Sequence, residues 1–217
     1  MADFTIYLAN KNYSSWSMRA WLMLKQAGAE FDEVVVPLRQ AETRTEILRH
    51  SPSGRLPALR HVDFTVWESL AIGEYLAEVF TKARLWPATR KARAVARAVS
   101  AEMHGGFGHL RRHLPMNMRG SYPGRGMTEE AQADLNRIFA LWRDAKKRFG
   151  AEGAFLFGEF GIPDAMYAPV ISRLRTYGVP LDPDIADYCV AVETLPHFLE
   201  WQAAAKKEPM IIEEYEF

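Results

Sequence analysis

A proline at the entry of an apolar strand is the feature that most restricts the fold of this chain. Residues 55–59 read Arg-Leu-Pro-Ala-Leu, so Pro57 stands where the strand should begin. Proline has no backbone N–H to donate to a sheet, and it belongs at the first residue of a strand or on an edge strand. The acidic and hydroxyl pair Glu68-Ser69 follows at the start of a helical pattern. This combination indicates a small sheet organised around the proline.

The residues before this proline alternate between strand and helix patterns. Residues 4–9 and 31–36 are rich in the β-branched and aromatic side chains typical of strands. Between them, apolar residues recur at helical spacing from Ser15 until Gly28 can end the helix. A strand, a helix and a strand in this order predict a parallel βαβ unit. Residues 42–49 predict a short, exposed helix with little apolar surface.

The residues after the proline complete the pattern of one domain. Residues 58–61 and 65–67 predict a hairpin, and apolar residues at helical spacing from Ser69 predict an amphipathic helix. The order βαβ-α-ββα is that of a thioredoxin-like domain, and we expect this architecture for the first part of the chain.

The second part of the chain has a different character, because no strand pattern appears after Trp67. Apolar residues spaced over 92–110 predict one long helix, and further helical patterns follow it. The predicted fold class is therefore α/β plus all-α. We expect a thioredoxin-like domain over residues 1–80, a linker over 81–87 and an all-helical domain over 88–217.

The charge and cysteine content exclude several classes of protein. Lysine plus arginine and aspartate plus glutamate are 27 each, which gives no basic excess for nucleic acid or an anionic membrane surface. Cys189 is the only cysteine, so neither an intrachain disulfide nor a cysteine-based metal cluster can form. No segment has the pattern of a signal peptide or a bilayer-spanning helix. We expect a cytoplasmic protein with no metal, no nucleic-acid partner and no membrane partner.

Four motifs together resemble the cytosolic glutathione transferases along nearly the whole chain. They are Asn12-Tyr13-Ser14-Ser15-Trp16-Ser17-Met18-Arg19, Arg55-Leu56-Pro57-Ala58-Leu59, Trp67-Glu68-Ser69-Leu70-Ala71-Ile72, and Phe155-Leu156-Phe157-Gly158 through Pro163-Asp164-Ala165. The hydroxyl-rich first motif is most similar to the bacterial, serine-using, zeta- and theta-like branches. The resemblance implies glutathione as co-substrate, a cis Leu56–Pro57 bond, and a homodimer with the helix after Ser69 near its interface.

The hydroxyl-rich loop is the candidate catalytic element. Glutathione reacts as a thiolate, and a helix N-terminus together with a hydroxyl donor lowers the pKa of a thiol. We expect Ser15 to be this donor, with Ser14 as the next choice, because the spacing to Arg19 allows more than one register. A register shifted toward Asn12 is the third choice. Each serine can alternatively serve only as a helix cap.

The remaining candidate site residues follow from the resemblance and from the helix start at Ser69. The hydroxyl and free N–H groups there suit the γ-glutamyl carboxylate of glutathione, while a neighbouring carboxylate suits its ammonium group. The expected glutathione-binding residues are Leu56, Pro57, Glu68, Ser69 and Asn12. The expected second-substrate pocket contains Tyr13, Met103, His104 and Phe107.

These residues predict an enzyme that adds glutathione to a small, largely apolar electrophile. A zeta-like variant would instead use glutathione to isomerise a double bond. The alternative from another class is a non-catalytic protein of the same fold that binds a ligand or a regulatory partner. The hydroxyl-rich loop contains no cysteine, which disfavours thiol-disulfide exchange because the attacking protein thiolate is missing.

Overall fold

The first part of the chain folds into one sheet flanked by helices. The computed structural model describes residues 2–150 and 153–217, and Met1, Ala151 and Glu152 lie outside the described residues. The elements in order are β1 (Phe4–Leu8), α1 (Ser15–Ala27), β2 (Phe31–Val35), α2 (Thr43–His50), β3 (Ala58–His61), β4 (Phe64–Trp67) and α3 (Ser69–Val79).

The four strands lie in the order β2-β1-β3-β4. Strands β1 and β2 pair in parallel across α1, whereas β3 pairs antiparallel with both β1 and β4. The Leu56–Pro57 bond directly before β3 is cis, as predicted. This arrangement confirms the thioredoxin-like architecture, and it brings the starts of α1, β3 and α3 toward one region.

The second part of the chain is helical. It contains α4 (Arg90–Gly105), α5 (Gly108–His113), α6 (Glu129–Phe149), α7 (Ile162–Thr176), α8 (Pro183–Glu193) and α9 (Pro196–Lys207). No β-strand follows β4 within residues 2–150 and 153–217, apart from a single bridge between Phe155 and Gly158. None of the helices in the described part of the chain has the length and apolar character needed to cross a bilayer.

The single helix predicted over residues 92–110 is wrong, because the structure divides it into α4 and α5. The break lies at Gly106 and Phe107. Gly106 has an extended backbone, and a Cβ atom there would lie 2.7 Å from the carbonyl oxygen of Glu102. Phe107 then takes a left-handed conformation with φ of 58°. Neighbouring glycines weaken a helix, which explains why the apolar spacing alone overestimated its length.

Helix α7 is the centre of the helical domain, and α1 packs directly against it. Nearly every residue of α7 is buried. Helix α1 also contacts α3 and α9, and Trp21 in α1 lies edge-on to Trp201 in α9 with ring centroids 5.4 Å apart. Because α1 is packed on both domains, its N-terminus lies at the junction between the sheet and the helices.

Asp164, in the first turn of α7, organises three segments of the helical domain. One carboxylate oxygen accepts from the backbone N–H of Gly161 at 3.0 Å. The other accepts from the N–H of Leu156 at 3.1 Å and from the hydroxyl of Tyr188 at 3.0 Å. Complete burial raises the pKa of Asp164 to about 6, against the opposing effect of these three donors. Asp164 therefore links the loop before α7 to helix α8.

Candidate active site

A cavity of about 620 Å³ opens where the two domains meet. It is bounded by the N-terminal end of α1, the segment before β3, the start of α3 and the end of α4. The residues lining it are Ala9, Ser14, Trp16, Leu38, Ile47, Gly54, Arg55, Leu56, Pro57, Glu68, His104 and Gly105. The lining combines apolar surface with one hydroxyl, one carboxylate, one imidazole and one guanidinium group.

Ser14 is the N-cap of α1 and is one of the residues that line the cavity. Its Oγ accepts from the backbone N–H of Ser17 at 3.2 Å and donates to Ser17 Oγ at 2.8 Å. Ser17 Oγ in turn accepts from the N–H of Ala9, at the end of β1, at 2.9 Å. The Ser14 hydroxyl is thus held at the positive end of the helix dipole by a chain of hydrogen bonds.

Ser15, the first choice from the sequence, is the first residue of α1. It is 5% exposed, and the cavity lining among the described residues contains Ser14 rather than Ser15. Ser14 is the second choice from the sequence for the hydroxyl donor. Pattern spacing could not separate the two, because a shift of one residue leaves both serines at the helix start.

Asn12 and Tyr13 face other parts of the protein. The side chain of Asn12 donates to Asn117 Oδ1 at 2.9 Å and accepts from the N–H of Arg119 at 2.9 Å. The hydroxyl of Tyr13 accepts from the guanidinium of Arg119 at 2.8 Å and donates to the carboxylate of Glu216. The structure therefore places both side chains against the segment after α5 and the C-terminal residues, and not along the cavity.

Leu56, Pro57 and Glu68 line the cavity, whereas Ser69, the first residue of α3, is completely buried and is not part of the lining among the described residues. Glu68 precedes α3 with φ of 72°, a conformation that is uncommon for a residue with a side chain. The Oγ atom of Ser69 is fully buried and has no hydrogen-bond partner among the described residues. A buried hydroxyl without a partner is costly, so a ligand group brought against this atom would relieve the cost.

His104 projects from α4 toward Glu68 and connects the two domains across the cavity. Its Nε2 atom lies 3.5 Å from the Glu68 carboxylate, and its ring lies edge-on to Trp16 with centroids 5.2 Å apart. Burial lowers the pKa of His104, the Glu68 carboxylate opposes this, and the charges of Arg19 and Arg111 reinforce it. The imidazole therefore favours its neutral form.

Met103 and Phe107, also predicted for the second-substrate pocket, do not belong to the cavity lining among the described residues. Met103 is completely buried in the core, and Phe107 occupies the break between α4 and α5. The turn of α4 that carries His104 contributes Gly105 instead. The sequence analysis treats residues 103–108 as one helical segment along the second-substrate pocket, which is why these two residues are grouped with His104.

Several lining residues were not proposed from the sequence. Trp16 is the second residue of α1, and its aromatic side chain directly after two serines was a usable signal. Arg55 was a second usable signal, because it places a cation two residues before Pro57. Leu38 and Ile47 come from the connection before α2 and from α2 itself. Their sequence context is too polar to indicate a cavity wall.

The fold and this site define a two-domain protein of the transferase type, with a hydroxyl at a helix start in the sheet domain and a helical domain closing the cavity. The glutathione S-transferase N-terminal domain model matches residues 13–79, and the corresponding C-terminal domain model matches residues 127–204. Glutathione S-transferase 1 of Dianthus caryophyllus is 35% identical over 208 residues, covering 91% of this chain and 87% of the relative. The chain belongs to the glutathione S-transferase family.

Comparison with solved structures agrees with this assignment. A glutathione transferase homologue from Burkholderia, solved with bound glutathione, is 27% identical with a TM-score of 0.70, covering 94% of this chain and 97% of that one. A tau class glutathione S-transferase from mango has a TM-score of 0.72 at 19% identity, covering 94% and 96% of the two chains, which shows the shared fold. The Burkholderia structure agrees with the family assignment, and the mango structure agrees with the fold.

Proposed function

We propose that the protein binds glutathione, activates it as a thiolate at Ser14, and adds it to a small, largely apolar electrophile. The observation that carries this proposal is the position of Ser14, which caps the N-terminus of α1 and lines the cavity. A thiolate placed there meets the positive end of the helix dipole and a hydroxyl donor. Both favour the charged form and lower the pKa of the thiol.

Ser17 can exchange roles with Ser14 in their hydrogen bond, so that the Ser14 hydroxyl can donate its proton to the glutathione sulfur. In the unliganded structure, Ser14 donates to Ser17 Oγ. The hydrogen of a serine hydroxyl can rotate, so Ser17 can instead donate to Ser14 Oγ while Ser17 still accepts from the N–H of Ala9. The Ser14 proton is then free for the thiolate. Ser17 is thus proposed to support the donor and not to contact glutathione.

The peptide part of glutathione is proposed to lie along the segment before β3 and the start of α3. The backbone of Leu56 offers its N–H and C=O groups to the cysteinyl part, as the family resemblance implies. The free Oγ of Ser69 and the amides at the start of α3 suit the γ-glutamyl carboxylate, while Glu68 suits the ammonium group. Leu56 and Pro57 both line the cavity, so this segment forms part of its wall.

The electrophile is proposed to occupy the part of the cavity near Trp16 and His104. Apolar lining favours a substrate with little charge. The proposed reaction forms a carbon–sulfur bond between the thiolate and the electrophilic carbon. In a substitution, the bonding electron pair departs with the leaving group. In an addition, the electron pair moves into the conjugated system, which then takes a proton from water. Glutathione-assisted isomerisation of a cis double bond is the variant of this chemistry that begins with the same addition.

The proposed function is tested by retention on immobilised glutathione followed by assays with electrophiles. The panel contains an aryl halide, a conjugated enone and a cis-configured enone, so that substitution, addition and isomerisation are separated. We expect retention, elution by free glutathione, and glutathione-dependent turnover of at least one compound. Glutathione binding without turnover of any compound would support the alternative, a non-catalytic binding protein of this fold. No binding at all would contradict the proposal.

Replacing Glu68 by glutamine is expected to raise the KM for glutathione about tenfold with little change in kcat. The physical reason is that a charge-assisted contact with the ammonium group contributes to binding before and during the reaction alike. Steady-state kinetics with varied glutathione measures both constants. An exposed acid on the same helix, Glu78, provides the matched control as Glu78→Gln.

A glutathione analogue that lacks the α-amino group makes this prediction specific. For the unmodified enzyme, the analogue should show the same loss of affinity as the Glu68→Gln variant shows with glutathione. For the variant, the analogue should cause little further loss, since the interaction is already absent. Equal losses in both proteins would mean that Glu68 does not contact the ammonium group.

We also propose that the protein is a serine-type, zeta- or theta-like member, that it works in the cytoplasm, and that it forms a homodimer. Support for the dimer comes from apolar side chains exposed on β4 and α3, where Phe64, Trp67 and Val79 are each more than two-fifths exposed. Sedimentation at micromolar concentration tests this. The division into residues 1–80, 81–87 and 88–217 stays a proposal as well.

A further inference from the structure

The C-terminal residues after α9 contact the loop that leads into Ser14. This loop, residues 10–14, makes a turn in which the N–H of Ser14 donates to the carbonyl oxygen of Asn10 at 2.8 Å. Two backbone N–H groups of the loop, those of Lys11 and Asn12, point away from this bond. Both are satisfied by one side chain almost 200 residues further along the chain.

That side chain is Glu208, the residue directly after α9. Its Oε1 atom accepts from the N–H of Lys11 at 2.9 Å, and its Oε2 atom accepts from the N–H of Asn12 at 3.0 Å. Both oxygens are therefore engaged with consecutive amides of the loop. A carboxylate that accepts two such bonds fixes the position and the orientation of the backbone it holds.

Further contacts hold Glu208 and the loop together. The guanidinium of Arg119 donates to the carbonyl oxygens of Glu208 and Met210 and to the Tyr13 hydroxyl. The same hydroxyl accepts from the N–H of Ile212 at 3.2 Å. Because these groups are shared, a displacement of the C-terminal residues would be transmitted to the residue directly before Ser14.

We propose that Glu208 is a positioning residue for the transferase reaction. It holds the amides of Lys11 and Asn12, and this fixes the turn that places the Ser14 hydroxyl at the cavity. The inference rests on the proposed role of Ser14. The side chain of Glu208 is not part of the cavity lining among the described residues, and it acts through the loop alone.

The proposal has a specific kinetic consequence. Glutamine at position 208 keeps one acceptor oxygen but directs an N–H₂ donor at the second loop amide. The turn must then shift, because this NH₂ group and the backbone N–H of the loop would face each other as two donors. The Ser14 hydroxyl moves with the turn. Leu56, Glu68 and Ser69 lie on other segments, so the peptide part of glutathione keeps its contacts.

The test is a pH titration of the thiolate absorbance of bound glutathione in the Glu208→Gln variant. We expect the midpoint to rise by about half a unit to one unit, and kcat near neutral pH to fall about threefold to tenfold. The KM for glutathione should change by less than about twofold. Glu208→Asp keeps the charge on a shorter side chain, and we expect an intermediate shift, which tests the same contact with a milder change.

Two control variants separate positioning from general destabilisation. Glu213→Gln removes an exposed carboxylate from the same C-terminal segment, and Glu193→Gln weakens a remote ion pair with Arg175. Neither should move the thiol titration. The proposal is overturned if the Glu208 variants titrate like the unmodified enzyme, or if Glu193→Gln shifts the midpoint as far. If Ser14→Ala does not raise the midpoint of the same titration, that result instead contradicts the proposed function.

Discussion

The Asp164→Ala variant is expected to lose about 3–5 kcal/mol of unfolding free energy, the largest effect on stability that we predict. The substitution leaves the buried N–H groups of Gly161 and Leu156 and the buried hydroxyl of Tyr188 without their shared acceptor. Each unsatisfied buried group costs about 1–3 kcal/mol. Chemical denaturation monitored by tryptophan fluorescence measures the change, since Trp142 packs against Tyr188.

Tyr188→Phe is the matched control for this variant. It removes one donor to Asp164 and keeps the carboxylate bonds to both backbone amides, so the expected loss is about 1 kcal/mol. An Asp164→Ala variant as stable as Tyr188→Phe would show that the carboxylate does not organise the loop before α7.

The pH dependence of stability offers a separate check on Asp164. Its folded pKa is raised from the model-compound value of 3.8 to about 6, so the folded state binds more protons than the unfolded state between these values. The contribution of this group to stability is therefore greatest below that window and declines as pH rises through it. This part of the pH dependence should disappear in Asp164→Ala, as denaturation at several pH values would show.

Replacing Ser14 by alanine is expected to lower turnover near neutral pH at least about tenfold, the largest effect on activity that we predict. The substitution removes the proposed hydroxyl donor to sulfur. Glutathione affinity should change much less, because the peptide contacts of Leu56, Glu68 and Ser69 do not involve this side chain. Steady-state kinetics at saturating glutathione measures the loss.

Ser15→Ala is the control that shows which of the two serines, Ser14 or Ser15, is the hydroxyl donor. Ser15 occupies the first turn of the same helix and is not part of the cavity lining among the described residues, so its removal should affect turnover only slightly. The opposite result, with Ser15→Ala losing turnover and Ser14→Ala retaining it, would return the assignment to the first choice from the sequence.

The fold could be predicted from the sequence because its main determinants are local. Pro57 marked the start of β3, and the apolar spacing after Ser69 marked α3. The break between α4 and α5 was missed because apolar spacing continues across it, while the backbone there is extended at Gly106 and left-handed at Phe107.

The site was less predictable because its loop is shaped by residues that are distant in the sequence. Asn12 is proposed from an alternative register counted from Arg19, and Tyr13 because its phenol lies beside the serines. Their side chains are instead engaged by Asn117, Arg119 and Glu216. Similarly, nothing in the sequence around Glu208 indicates two backbone partners in the first loop. Side-chain direction in a loop is set by such contacts, which residue spacing does not contain.

The most direct measurement for the central claim is the pKa of the glutathione thiol bound to the unmodified enzyme and to Ser14→Ala. The thiolate absorbance of each complex is followed as pH is raised, with glutathione saturating both proteins. The account predicts a midpoint below the free-thiol value of about 8.5 for the unmodified enzyme, and a midpoint at least about one unit higher for the variant. Identical midpoints in two proteins that both bind glutathione would contradict the role of Ser14.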